Sequence, residues 1–220
     1  MHISAQAPLH LLHRSAIGTL ATHLREPQGF PYPTMLPFAL DARHRPVILV
    51  SRLAEHTRNL ESDARAGFLV AEAAGPDVLA GERVTLIGRF LVAPTTPELA
   101  RRYLRYRPEA ERYLALGDFS FRVMEVDKLR YIGGFGSMGW LDGSELDPLD
   151  PLSDENEIFL LDYFNEHAGR PSAVELLGID CYGADLKAGD VRRRFVFDAP
   201  KPTVPDLQHA LADCIARLAE

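Results

Sequence analysis

Cysteine is scarce in this 220-residue chain, with Cys181 and Cys214 the only two. Two residues without CxxC spacing supply neither a disulfide framework nor a zinc site, so both read as reduced packing residues of a cytoplasmic protein. No stretch reaches the ~18 apolar residues that a membrane span needs, and the N-terminus lacks the basic start and unbroken apolar run of an export signal. Neither insertion nor export is expected. Positive charge is also short: 24 Lys and Arg face 31 Asp and Glu, for a formal net charge of −7. Arg192, Arg193 and Arg194 adjoin one another, yet a chain acidic overall repels phosphate backbones, which makes nucleic acid a poor partner. There is no Walker loop, no HExxH or HxH pair and no GxSxG elbow, so nucleotide-triphosphate, metalloprotease and serine-hydrolase chemistry lack their usual supports.

What is present suits a folded, strand-rich protein. Hydrophobic residues make up 46% and charged residues 25% of the chain, enough for one large core or two modest ones. The 16 Gly and 16 Pro are spread along the chain and read as turns between short elements. A short helix over Pro8–Arg14 precedes a strand at Ile17–Leu24. A second strand, Tyr32–Leu40, is interrupted by prolines that cannot donate ladder hydrogen bonds, which predicts an edge or a bulge. The apolar run Pro46–Ser51 leads directly into a helical stretch, Ala54–Ser62. Strands follow at Gly67–Ala71 and Arg83–Ala93, two helices at Thr96–Tyr106 and Pro108–Leu116, then a strand at Phe119–Val126 and strand and turn over Arg130–Gly136.

Composition changes to Asp, Pro, Ser and Leu over Asp142–Asp154, in the manner of an interdomain linker. Beyond it the pattern predicts a helix at Glu155–His167, a short helix at Ala173–Leu177, a hairpin about Ala188-Gly189-Asp190 and a final helix from Asp206. That helix places Leu207, Leu211, Ile215 and Leu218 on one face, with Thr203 or Asp206 to cap it. The expected class is α+β, with an antiparallel sheet or barrel over residues 1–146 and a small α+β domain over 153–220.

Three segments concentrate chemistry. Ser51–Asn59 (SRLAEHTRN) joins a buried strand to a helix start, where free N–H groups and partial positive charge suit a phosphate; a hydroxyl-capped surface helix has the same pattern. Arg83 and Thr85 share one face of a long strand, where a cation and a hydroxyl could meet a ligand or simply face water. Tyr131–Trp140 gathers four glycines with Tyr, Phe and the only tryptophan, fitting a ligand wall, a subunit seam or a tight turn with core aromatics. Among the histidines, His10 and His13 share the one helical i, i+3 spacing, while His167 at a helix end and His209 on a polar helix face have ordinary explanations.

Gly18-Thr-Leu-Ala-Thr22, Tyr32–Phe38, Ile48–Leu60, Arg83–Gly88 and Tyr131–Gly136, in this order, resemble the pyridoxamine-phosphate-oxidase-like split barrels, most closely the haem-utilisation, HugZ-type branch. The likeness spans residues 8 to 141. It implies a six-stranded antiparallel split β-barrel that forms a homodimer and takes a small-molecule ligand, with FMN at the subunit interface. The positions implied to contact it are Met35, Ser51, Leu53, His56, Thr57, Asn59, Arg83 and Trp140, with His56 and Thr57 beside the phosphate. Gly134–Gly139 lacks the arginine that holds a pyridoxamine phosphate, so that substrate is not expected. Gly178–Gly183 and Arg194–Phe197 resemble the small domain that follows this barrel, although Tyr163–His167 departs from the helix motif of relatives. The functions implied are an FMN-dependent oxidoreductase, or alternatively a haem-binding or haem-degrading protein with His167 or His209 on the iron, or a non-catalytic binding module.

Overall fold

Leu9, Leu11 and Leu12 recur on one side of the first helix, α1 (Gln6–Arg14), and all three are fully buried in a computed structural model of the chain. The structure describes residue 4 and residues 6–72, 80–134 and 137–218. It divides into two units, Met1–Pro148 and Leu149–Glu220.

The first unit is built on one antiparallel sheet. Its strands are β1 (Ile17–His23), β2 (Pro31–Pro37), β3 (Ala39–Leu40), β4 (Pro46–Ser51), β5 (Arg65–Ala71), β6 (Arg83–Val92), β7 (Phe119–Ile132) and β8 (Met138–Asp142). They run in the order β2-β1-β5-β6-β7-β4-β3, with β8 paired on β7. Alternation sets the two faces. In β1 the odd positions from Ile17 to His23 point outward while Leu20 and Thr22 are buried, and β5 and β6 repeat the pattern. The inner face packs Phe38, Phe68 and Phe90 edge to face, at centroid separations of 5.2 and 5.6 Å, with Leu86, Phe121 and Met124 around them. Gly18 is required here, because a Cβ would lie 2.3 Å from the Phe68 ring.

The proline-bearing strand β2 is an edge, as its missing donors predict. Among the described residues the sheet has eight strands where six are expected, for local reasons. Pro37 ends β2 and leaves Ala39–Leu40 to pair separately with β4, and the turn after Ile132 brings Met138–Asp142 back along β7. Within that turn, Phe135 and Gly136 lie outside the described residues. Helix α3 (Pro97–Tyr106) follows β6, and Pro108–Leu116 is a 3₁₀ turn (Pro108–Ala110) followed by one helical turn, α4 (Glu111–Leu114), rather than a full helix.

In the second unit, helices α5 (Asp154–Glu166) and α6 (Val204–Leu218) bury Leu160, Phe164, Leu207, Leu211 and Ile215 with Ile179, Ala184 and Leu186 of a three-stranded sheet. The helix expected at Ala173–Leu177 is instead part of a strand, β9 (Val174–Asp180), antiparallel to β10 (Gly183–Ala188), which pairs in turn with β11 (Val191–Val196). Six of the seven residues of β9 are buried, and pairing with β10 outweighs the helical propensity of Glu175-Leu-Leu177. Arg194 of β11 reaches into this unit and binds Asp180 at 2.7 Å and Asp185 at 2.8 Å, its side chain fully buried.

Among the described residues no helix is long and apolar enough to cross a membrane.

Candidate functional site

The joint between β4 and α2 (Glu55–Ser62) is tied to the start of β7. The Ser51 hydroxyl donates to Asp118 Oδ2 at 2.6 Å and accepts the Leu53 N–H at 3.1 Å, and the Arg52 N–H donates to the Asp118 carbonyl at 2.9 Å. The Asp118 carboxylate thus supplies a negative charge beside the opening of α2, where the sequence suggests a phosphate. Leu53 is exposed. Thr57 and Asn59 are fully buried; Asn59 donates to Thr22 Oγ1 at 3.0 Å and accepts the Arg25 N–H at 3.4 Å, which pins α2 to β1. Ser51 and Asn59 therefore have partners within this joint.

Beside them, the buried Arg122 lies 3.7 Å from Glu61, and among the described residues its Nε has no hydrogen-bond partner. The Thr57 hydroxyl also has none. Burial, and then the Arg122 charge, lower the pKa of His56 below its ordinary 6.5. A group depressed in this way adds stability that is present above its unfolded pKa and is lost as pH falls below 6.5. Urea unfolding at about pH 7 and about pH 5 is expected to show a smaller loss for His56→Gln than for the natural chain; equal losses would remove His56 from the acid sensitivity.

Met35, Arg83 and Trp140 gather elsewhere, on the outer face of the sheet. The register aligns Met35, Thr19, Leu69, Thr85, Arg130 and Trp140 across six strands. Met35 is 72% and Trp140 55% exposed, and the Arg130 guanidinium sits 5.7 Å from the Trp140 ring centre. One row over, Arg83 faces Ile132, which faces Met138, and the Arg83 Nη1 donates to the Gly81 carbonyl at 3.3 Å. Ile17, Leu69 and Ile87 are also exposed on this face, so exposed apolar side chains alternate there with threonines and basic residues.

This face ends in a groove of about 370 Å³. Ala21, Gly67 and Ile87, abreast on β1, β5 and β6, form its floor. The next row carries His23, which is exposed, then Arg65 and Arg89, with Pro31 and Asp127 beside them. The arginines hold exposed partners: Arg65 meets Asp63 at 2.6 Å and Arg89 meets Asp127 at 3.0 Å. The Arg65 hydrogen bonds lower the Asp63 carboxyl to about 2. Sequence reasoning missed His23. Alternation does place it outward with Thr19 and Ala21, but its neighbours arrive only through pairing with β5 and β6.

The other histidines have different settings. His13 and His44 are buried 2.8 Å apart, and His44 Nε2 lies 3.1 Å from Asp147. His167 closes α5, accepts the Gly169 N–H at 3.1 Å and packs edge-on to Tyr163. His209 lines an open groove of the second unit together with Asp206, Asp213, Phe195 and Arg217.

Comparison with known proteins matches residues 2–146 to the family model "CREG, beta-barrel". The chain is 34% identical over 126 residues to the "Non-canonical heme oxygenase HOZ, chloroplastic" of Arabidopsis thaliana, a match covering 56% of this chain and 38% of that protein. Among solved structures, the heme binding protein from Mycobacterium smegmatis is 29% identical with a TM-score of 0.61, covering 99% of this chain and 98% of that one. Protein Atu2129 of Agrobacterium tumefaciens superposes with a TM-score of 0.77 at 23% identity, covering 95% and 94%, and shows the same fold.

Proposed function

Because this chain belongs to the CREG β-barrel family, we propose that it is a haem-binding protein of the haem-utilisation branch, working as a homodimer whose subunits meet through the outer face of the barrel sheet. The observation that carries this reading is the set of exposed apolar side chains on that face, Met35, Leu69, Ile87 and Trp140, interspersed with Arg65, Arg83, Arg89 and Arg130. Such a surface complements a planar macrocycle with two carboxylates: the ring buries apolar area and the guanidinium groups take the carboxylates. The M. smegmatis heme binding protein, similar along nearly its whole length, and the Arabidopsis heme oxygenase support the same ligand class.

An FMN-dependent oxidoreductase on the same barrel is the second reading, and the exposed Trp140 with Arg130 above its ring favours a stacked aromatic ligand. It is the weaker one, because the Ser51 hydroxyl is spent on Asp118 at the joint where a phosphate would sit.

Titrating the purified protein with haemin is expected to shift the Soret band and to saturate, while FMN added alone keeps its free fluorescence. Absence of a Soret shift would refute the haem reading. The dimer is tested separately. Leu69→Glu places a charge among these exposed apolar side chains, where it leaves the fold intact and lowers the mass in solution from dimer to monomer; an unchanged mass would move the seam off this face.

A further inference from the structure

We propose that His23 is the axial ligand of the haem iron, with the adjoining edge of the ring resting on Ala21, Gly67 and Ile87 and its carboxylates held by Arg65 and Arg89. This rests on the haem reading above and locates its site.

The donor set fits the group. A haem site in a protein needs a neutral imidazole nitrogen or another soft donor toward iron, a flat apolar bed and cations for the carboxylates. On β1, His23 is exposed and outward, so its imidazole would be open to the iron of a haem bound on this face. The floor beside it is low, since Ala21 carries one methyl and Gly67 none. A Cβ added at Gly67 would lie 3.8 Å from that of Ala21, so the backbone does not require glycine there, and its bareness keeps the groove flat. Ile87 closes the floor with a 44% exposed side chain.

The cations stand at the right edge. Arg65 and Arg89 are cross-strand partners, and neighbouring strands lie about 4.8 Å apart, so His23, Arg65 and Arg89 form one short row across β1, β5 and β6. Among the described residues, Arg65 and Arg89 pair with the half-buried Asp63 and the exposed Asp127, and solvent-exposed arginine pairs are of small net worth. A carboxylate on a ring already anchored by iron displaces such partners readily, because its own binding is then intramolecular.

No other described histidine combines these features. His10 is half-buried on α1, His13 and His44 are buried against each other, and His56 is half-buried beside Arg122. His167 accepts a backbone hydrogen bond at a helix end, and the His209 groove carries three carboxylates, Asp198, Asp206 and Asp213, against Lys201 and Arg217, where the His23 groove carries Asp127 against Arg65 and Arg89.

The test is haemin titration of the full chain and of His23→Ala, followed by absorbance and by resonance Raman of the bound species. The natural protein is expected to show an imidazole-ligated spectrum. His23→Ala is expected to lose it, to bind haemin at least about tenfold more weakly, and to regain the spectrum when free imidazole is added. Gly67→Leu, which fills the floor without touching the ligand, is expected to weaken binding while circular dichroism and melting stay close to those of the natural chain. If His23→Ala keeps the natural spectrum and affinity while His209→Ala or His167→Ala loses them, the ligand is elsewhere and this inference falls with the haem reading intact. If the natural protein shows no Soret shift at all, both fall together.

Discussion

Arg194→Met is expected to destabilise the second unit by about 3–5 kcal/mol, the range found when one partner of a buried ion pair is removed. The guanidinium is fully buried and binds two carboxylates, Asp180 on β9 through both oxygens at 2.7 and 2.9 Å and Asp185 on β10 at 2.8 Å. It links all three strands of the small sheet. The two acids hold the arginine charged, with its pKa raised well above the ordinary value despite burial. Methionine preserves much of the volume and removes the charge, so Asp180 and Asp185 lose their counter-ion inside the unit. Scanning calorimetry is expected to show a lower or missing transition for this unit, and the triple variant Arg194→Met with Asp180→Asn and Asp185→Asn is expected to recover a large part of the loss. A melt unchanged by Arg194→Met would show that the triad contributes little.

Gly88→Val is expected to have an effect of similar size in the barrel. Gly88 lies where the β6–β7 register shifts, and a Cβ at this position would lie 1.9 Å from the Glu125 carbonyl oxygen and 2.9 Å from its carbon. Those are backbone atoms of the paired strand, so relief requires the two longest strands of the sheet to separate locally. Loss of stability on the order of 3 kcal/mol or more is expected, seen as a lower urea midpoint with little soluble protein on expression. Gly67→Ala is the matched control one strand away, because its Cβ makes only ordinary contact. Equal tolerance of both substitutions would mean that the bulge does not hold the two strands in the described register.

Much of the barrel is legible along the chain because its determinants are local. Prolines mark β2 as an edge, PVILVS marks β4 as a buried strand running into α2, and Thr96-Pro97 marks a capped helix start, where the Thr96 hydroxyl accepts the Leu99 N–H. The features that sequence reading missed depend on distant partners. Val174–Leu177 carries helix-forming residues, and only β10 makes it a strand. The hydrogen bond from the Ser51 hydroxyl to Asp118, 67 residues later, is likewise invisible along the chain.

The candidate ligand face follows the same rule. Met35 and Trp140 are conspicuous singly, but their common row across the sheet is a product of strand order. His23 is unremarkable in ATHLRE, and it acquires a flat floor and two arginines only when β5 and β6 are laid beside β1. Pairing register, which short-range patterns specify weakly, therefore decides which of the residues share a site.

A haem surface on the outer face of this barrel is expected to take haem in preference to FMN. The most direct measurement is a competition: the purified protein is mixed with equimolar haemin and FMN, separated from free ligand by gel filtration, and its absorbance spectrum recorded. The account predicts that the protein fraction carries a Soret band and lacks the flavin bands. A protein fraction with flavin absorbance and no Soret band would contradict it.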